Sequence, residues 1–129
     1  MIAGSLKIWF DGGCAPNPGP MRTCVFTRGK AWLRTDLGQG DNNDAEWLAL
    51  VHALELARDL GATDVIALGD SALVVGQASG SAACRAPRFV ARREQVRALI
   101  AGFSRVRLRQ VGRAQNLAGI ALERERGRL

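Results

Sequence analysis

Between residues 44 and 60 the apolar side chains Trp47, Leu50, Val51, Leu54 and Ala57 return every three or four positions. On both sides of that stretch the apolar residues alternate instead. This switch of period predicts a helix over 44–60, closed by Gly61 and set between strands. Upstream, Leu6, Ile8 and Phe10 alternate with Lys7, Trp9 and Asp11, which predicts a strand ending at Asp11. Residues 12–20 are rich in Gly, Pro and Asn and are expected to form a loop. Strands are expected near 23–28 and 30–36 with Gly29 at their turn, and a second loop over 38–43. Downstream, the pattern gives a strand over 64–70, a brief helix over 71–77 and a longer helix over 89–102 with Val90, Val96, Leu99 and Ile100 facing inward. A strand around Val106 and Leu108 and a final helix over 116–126 follow. The order β-β-β-α-β-α-α-β-α describes an α/β chain with a mixed sheet and helices packed on its faces.

A length of 129 residues suits one domain spanning 1–129 with a core that needs no staples. The longest apolar runs, such as 48–50 and 73–75, fall far short of the roughly 20 residues of a membrane span. Residues 1–7 lack a basic region followed by a hydrophobic block, so no signal peptide is expected. Cys14, Cys24 and Cys84 are odd in number and form no CxxC pair, which argues against a disulfide framework or a structural zinc site. A reducing cytoplasm, no membrane and a monomeric chain are the expectations. The net charge of +6, carried by sixteen arginines and two lysines, favours a polyanionic partner and equally serves solubility.

Three carboxylates each have an ordinary reading when taken singly. Asp11-Gly12 is a turn signal. Asn43 followed by Glu46 looks like a capping box with Asn43 as the cap. Asp70 stands before Ser71 at a strand-to-helix junction, a common position for a cap. Their joint placement says more. Asp11 and Asp70 each end an apolar strand; if those strands are parallel neighbours, both carboxylates emerge at the edge where open α/β sheets bind ligands. Glu46, in the first turn of a helix, can lean toward the same edge. Three converging carboxylates repel one another unless a cation lies between them, and an all-oxygen donor set suits Mg2+ or Mn2+.

The segments FDGGCAPNPGP (10–20), NNDAEWLAL (42–50) and GDSALVV (69–75) together resemble, in order and spacing, the three acidic motifs of type 1 ribonuclease H. The resemblance covers most of the chain. It implies a ribonuclease-H-like fold, a five-stranded mixed sheet flanked by helices. It also implies metal-dependent endonucleolytic hydrolysis of the RNA strand of RNA–DNA hybrids by a two-metal mechanism. Asp11, Glu46 and Asp70 would be the catalytic, metal-ligating residues, with Asp11 shared between ions and Glu46 near the 2′-hydroxyls that distinguish RNA from DNA. Gly12, Gly13, Cys14, Asn17, Asn43 and Ser71 would contact the hybrid.

The pattern breaks at the last helix. The family normally carries a fourth carboxylate after an Asn-x-x-Ala pattern, whereas this chain reads NLAGIAL (116–122) and has Gly119 near that place. Glu123, four residues further along the same helix face, is a candidate replacement, but reads more simply as an exposed charge among Arg124, Glu125 and Arg126. Many family members also have a histidine in the loop ahead of the fourth carboxylate. The only histidine here, His52, follows Glu46 by six residues on the helix, points elsewhere and is read as structural or solvated. Arg85, Arg88, Arg92, Arg93 and Arg97 around the second long helix are read either as phosphate contacts or as a solvated face. Arg105, Arg107 and Arg109 are expected to pair with acidic residues of the last helix, and Trp9, Trp32 and Trp47 to lie in or near the core. Three functions follow: a ribonuclease H; a weakly active or non-catalytic module of the same fold that binds hybrid or structured RNA; and a related nuclease acting on another substrate.

Overall fold

The computed structural model describes residues 2–127. Six strands and four helices follow in the order β1 (Ser5–Cys14), β2 (Gly19–Thr27), β3 (Lys30–Arg34), β4 (Gln39–Gly40), α1 (Asn42–Asp59), β5 (Asp64–Gly69), α2 (Ala72–Ser79), α3 (Pro87–Ile100), β6 (Arg105–Gln110) and α4 (Leu117–Gly127). A 3-10 turn, Arg113–Gln115, precedes α4. The sheet runs β3-β2-β1-β5-β6, with β1–β2 and β2–β3 antiparallel and β1–β5 and β5–β6 parallel. This is the expected mixed five-stranded sheet with one addition, the two-residue β4 that pairs Gly40 with Gly19 of β2.

Alternation along β1 sorts the two faces. Leu6, Ile8 and Phe10 join Val25, Val65, Ala67 and the inner face of α1 (Trp47, Leu50, Leu54, Ala57) in the main core. Lys7, Trp9 and Asp11 point the other way. There α4 supplies a thinner layer in which Ala118 and Leu122 are buried, as is Cys24, the β2 partner of Asp11. Trp47 is wholly buried, whereas Trp9 and Trp32 are half-buried, Trp9 meeting Phe26 edge-on.

Three local expectations are corrected. β1 does not end at Asp11 but runs on to Cys14, pairing Gly13 with Arg22 and Cys14 with Met21, so the loop shrinks to residues 15–18. The glycines that read as a turn serve a close approach instead, described below. The cap of α1 is Asp41, not Asn43: Asp41 Oδ1 accepts from Asp44 N at 2.9 Å, and Asp44 Oδ2 accepts from Asp41 N at 2.9 Å. The cap of α2 is Ser71, whose Oγ accepts from Val74 N at 3.1 Å, not Asp70. Each ordinary role proposed for the three carboxylates is therefore filled by another residue or absent, and Asp11, Glu46 and Asp70 are left without a capping or turn function.

Candidate metal centre and nucleic-acid cleft

The parallel register of β1 and β5 pairs Leu6 with Val65 and Trp9 with Leu68. Two residues further on, that register sets Asp11 level with Asp70 on the same face, at the carboxyl end of both strands. Glu46 reaches the same point from the first turns of α1. It can do so because Gly12 has no side chain: a Cβ there would lie 2.1 Å from the carbonyl oxygen of Ala45. The contact lets Gly12 N donate to Glu46 Oε1 at 2.6 Å. Each of Asp11, Glu46 and Asp70 offers a carboxylate oxygen within 4.8 Å of the others.

The electrostatics of this cluster are severe. Asp11 is 2 % exposed and Glu46 8 %. Burial and then the neighbouring Asp11 charge push the Glu46 carboxyl up to about 9, against the hydrogen bond from Gly12 N. Burial also raises Asp11, opposed by its hydrogen bond and ion pair with Arg113. Arg113, on the 3-10 turn, donates from Nη1 to Asp11 Oδ1 at 2.7 Å and to Asp70 Oδ2 at 2.8 Å, and its Nη2 lies 3.5 Å from Glu123 Oε1. Although burial works against its charge, the hydrogen bonds to Asp11 and Asp70 hold the guanidinium above its usual range. Asn116 completes the frame, donating from Nδ2 to Asp70 Oδ2 at 2.7 Å and to the carbonyl of Phe10 at 3.1 Å. An all-carboxylate set, two members buried and the third half-buried, with a cation already drawn into it fits a hard divalent ion, for which Asp11, Glu46 and Asp70 supply the oxygens.

A cleft of about 560 Å³ opens over the carboxylates. All of the residues named from the sequence line it: Asp11, Gly12, Gly13, Cys14, Asn17, Asn43, Glu46, Asp70 and Ser71. Asn17 and Cys14 are held by α1, with Asn42 N donating to Asn17 Oδ1 at 3.1 Å and Cys14 N to Asn42 Oδ1 at 3.2 Å. Asn42, Arg22, Arg113 and Asn116 escaped sequence reasoning. Asn42 is the neighbour of Asn43, and Asn116 opens the Asn-x-x-Ala pattern, a place that by itself signals no contact with the centre. Arg113 stands in the loop ahead of Gly119 where the family often has a histidine, which was the available signal.

Several other cationic groups have partners within the fold. Arg88 binds the capping box of α1, 2.8 Å from Asp44 and 3.2 Å from Asp41. Arg93 and Arg97 face Glu94, and Arg92 donates to Gln95. Arg105 and Arg107 pair with Asp64 of the adjacent strand at 3.3 and 3.4 Å, and not, among the described residues, with the acids of α4 where the expectation put them. His52 is buried and shares a 2.8 Å hydrogen bond with Thr23 Oγ1, which settles its two readings in favour of a structural one.

Comparison with known proteins agrees with this geometry. Residues 24–124 match the family described as reverse transcriptase-like. The chain is 35 % identical over 127 residues to Ribonuclease HI of Halobacterium salinarum, covering 95 % of this chain and 64 % of that protein. A solved structure of RNase H1 from the same archaeon superposes with a TM-score of 0.86 at 34 % identity, over 92 % of this chain and 94 % of that one. The chain belongs to the type 1 ribonuclease H family. A second ribonuclease H structure, the N-terminal RNase H domain of a Mycobacterium tuberculosis protein solved as a fusion with maltose binding protein, gives a TM-score of 0.82 at 31 % identity, over 96 % and 97 % of the two chains. The chain spans just under two thirds of the archaeal curated relative and about a third of the mycobacterial one, a bifunctional protein matched at 36 % identity over 82 % of this chain.

Against that ribonuclease H family, the missing fourth carboxylate gains a structural meaning. A Cβ on Gly119 would lie 3.5 Å from Asp11 Oδ2, so position 119 does border the centre. It would also lie 2.9 Å from Arg113 Nη1. The space beside Asp11 is taken by a guanidinium. Glu123 lines the cleft and reaches Arg113, and it is not among the three carboxylates that converge.

Proposed function

We propose that this protein is a metal-dependent endonuclease that hydrolyses the RNA strand of RNA–DNA hybrids. The observation that carries the reading is the convergence of Asp11, Glu46 and Asp70, from three separate elements, on the floor of one polar cleft. Asp11, Glu46 and Asp70 would hold Mg2+ or Mn2+. Such an ion, when bound, offsets the charge of the scissile phosphate and makes a nearby water more acidic. The chain's own residues do the rest. Gly12 and Gly13 give the cleft a floor with no side chains, and Cys14, Asn17, Asn43 and Ser71 offer neutral polar groups along it. Short amide and hydroxyl side chains suit sugar and phosphate oxygens, which position a strand without reading its sequence. Selection of RNA rests on 2′-hydroxyl contacts within that cleft.

Arg113 among the carboxylates and Gly119 in place of the fourth one favour a second reading, a binding module with little or no turnover. One assay separates the two. Labelled hybrid, duplex RNA and duplex DNA are incubated with wild type and Asp11→Asn in Mg2+ and in Mn2+. Cleavage of the hybrid's RNA strand, reduced at least about 100-fold in Asp11→Asn, is expected for a metal-dependent hydrolase. No cleavage with either ion at high enzyme concentration, alongside salt-sensitive hybrid binding, would replace the nuclease with the binding module.

A further inference from the structure

A single nitrogen, Arg113 Nη1, touches Asp11 Oδ1 and Asp70 Oδ2 at 2.7 and 2.8 Å. A divalent ion shared by these two carboxylates must sit against oxygens of the same pair, at about 2.1 Å for Mg2+. Arg113 Nη1 already occupies Asp11 Oδ1 and Asp70 Oδ2, so the guanidinium and an entering ion compete for these oxygens. We propose that Arg113 is the built-in counter-cation of the centre: it fills the gap between Asp11 and Asp70, and a divalent ion enters only by displacing it. The inference rests on the reading of this centre as a metal site.

Three features of the chain fit displacement instead of permanent occupancy. The Arg113 side chain is about half exposed, 52 %, and hangs from a three-residue 3-10 turn at the rim, so it can leave without disturbing the sheet. Glu123 stands next to it, 3.5 Å from Nη2, an acceptor toward which the guanidinium can swing. Gly119 leaves the room the guanidinium needs, since even a methyl group there would press on Nη1 at 2.9 Å and Cζ at 3.2 Å. Arginine at 113 and glycine at 119 thus act as a pair. The glycine removes an acid and opens the space, and the arginine fills that space with positive charge. The consequence is functional. The repulsion between Asp11 and Asp70 is partly offset without metal, and the centre's affinity for an ion is lowered by the work of expelling the arginine.

Binding of Mn2+ to the whole chain tests this, with free Mn2+ counted by electron paramagnetic resonance for wild type and Arg113→Ala. Arg113→Gln serves in its place should alanine fail to give a cooperative melt. Removal of a competing charged hydrogen-bond donor should tighten binding about tenfold, against the usual worth of such a bond. In parallel, the Nε–Hε resonance of Arg113 in the wild type, assigned by its loss in the variant, should move as diamagnetic Mg2+ is added. Equal or weaker Mn2+ binding by the variants, or an Arg113 resonance unmoved at saturating Mg2+, overturns the displacement while leaving the nuclease reading standing. Absence of binding to wild type and variants alike overturns both.

Discussion

Replacing Glu46 by glutamine should stabilise the metal-free protein at neutral pH and leave it unchanged in acid. Glu46 is buried beside Asp11, and its carboxyl is raised from 4.5 to about 9 in the fold. A carboxyl raised on folding contributes its full share below its unfolded value, and that share is lost as pH climbs toward the folded value. Below pH 4.5 the side chain is neutral in both states and glutamine is its near-equivalent, still able to accept from Gly12 N through its amide oxygen. Above that point the unfolded chain releases a proton that the folded chain retains. About 2.5 pH units separate the unfolded value from pH 7, and at about 1.4 kcal/mol per unit the wild type forfeits about 3 kcal/mol there. Urea unfolding of wild type and Glu46→Gln in EDTA, from pH 4 to pH 8, reads this directly. The two stability curves should meet near pH 4.5 and part steadily above it, with glutamine the more stable. Curves that stay parallel over the whole range would refute the claim that Glu46 is forced into its site against its charge. A divalent ion should close the gap by stabilising the wild type alone.

His52 and Gly12 give two more checks. Burial, then the Arg34 charge, lowers His52 from 6.5 to about 4. A histidine depressed in the fold contributes stability that is present above pH 6.5 and lost as pH falls toward 4, here about 3 kcal/mol; His52→Gln, measured by the same unfolding series, should flatten that acid slope, and an unchanged slope would move its origin elsewhere. Gly12→Ala places a methyl group against the Ala45 carbonyl at 2.1 Å. Prising β1 from α1 should cost about 2–3 kcal/mol in chemical unfolding, and with Glu46 pushed off Gly12 N it should also weaken Mn2+ binding; a variant as stable as wild type would show that the close approach is not required.

The burial of charge at this centre is a cost the fold bears for function. Asp11 and Glu46 would be easier to accommodate as apolar residues, and removal of one partner of a buried ionic group ordinarily destabilises by several kcal/mol. In the metal-free chain Arg113 and Asn116 offset part of that cost at Asp11 and Asp70. They do so on the face where α4 and the 3-10 turn meet the sheet edge, while Glu46 accepts from the backbone N–H of Gly12.

Much of the architecture was legible because its signals are local. The period of α1, the hairpin turn at Gly29, the strand before Asp70 and the second long helix depend on residues within a few positions of one another, and they appear within two residues of where the pattern puts them. The three carboxylate motifs likewise gave the family and every residue of the cleft that was named in advance. Local rules were less sure at the ends of elements. Asn43 and Asp70 are acceptable caps by type, yet Asp41 and Ser71 take those places, because where the chain enters each helix is set by the packing that precedes it. The continuation of β1 through Gly12 and Gly13 was hidden for the same reason, since pairing with β2 and contact with α1 overrode the turn propensity of the glycines. Arg113 was beyond reach altogether. It meets Asp11 across 102 positions of sequence and Asp70 across 43, through the register of two parallel strands and the seat of α4 on β1 and β2. A residue's type records which charge it carries; only the assembled sheet brings that charge to within hydrogen-bond distance of the acids it meets, because such proximity is a property of the whole fold and of no segment within it.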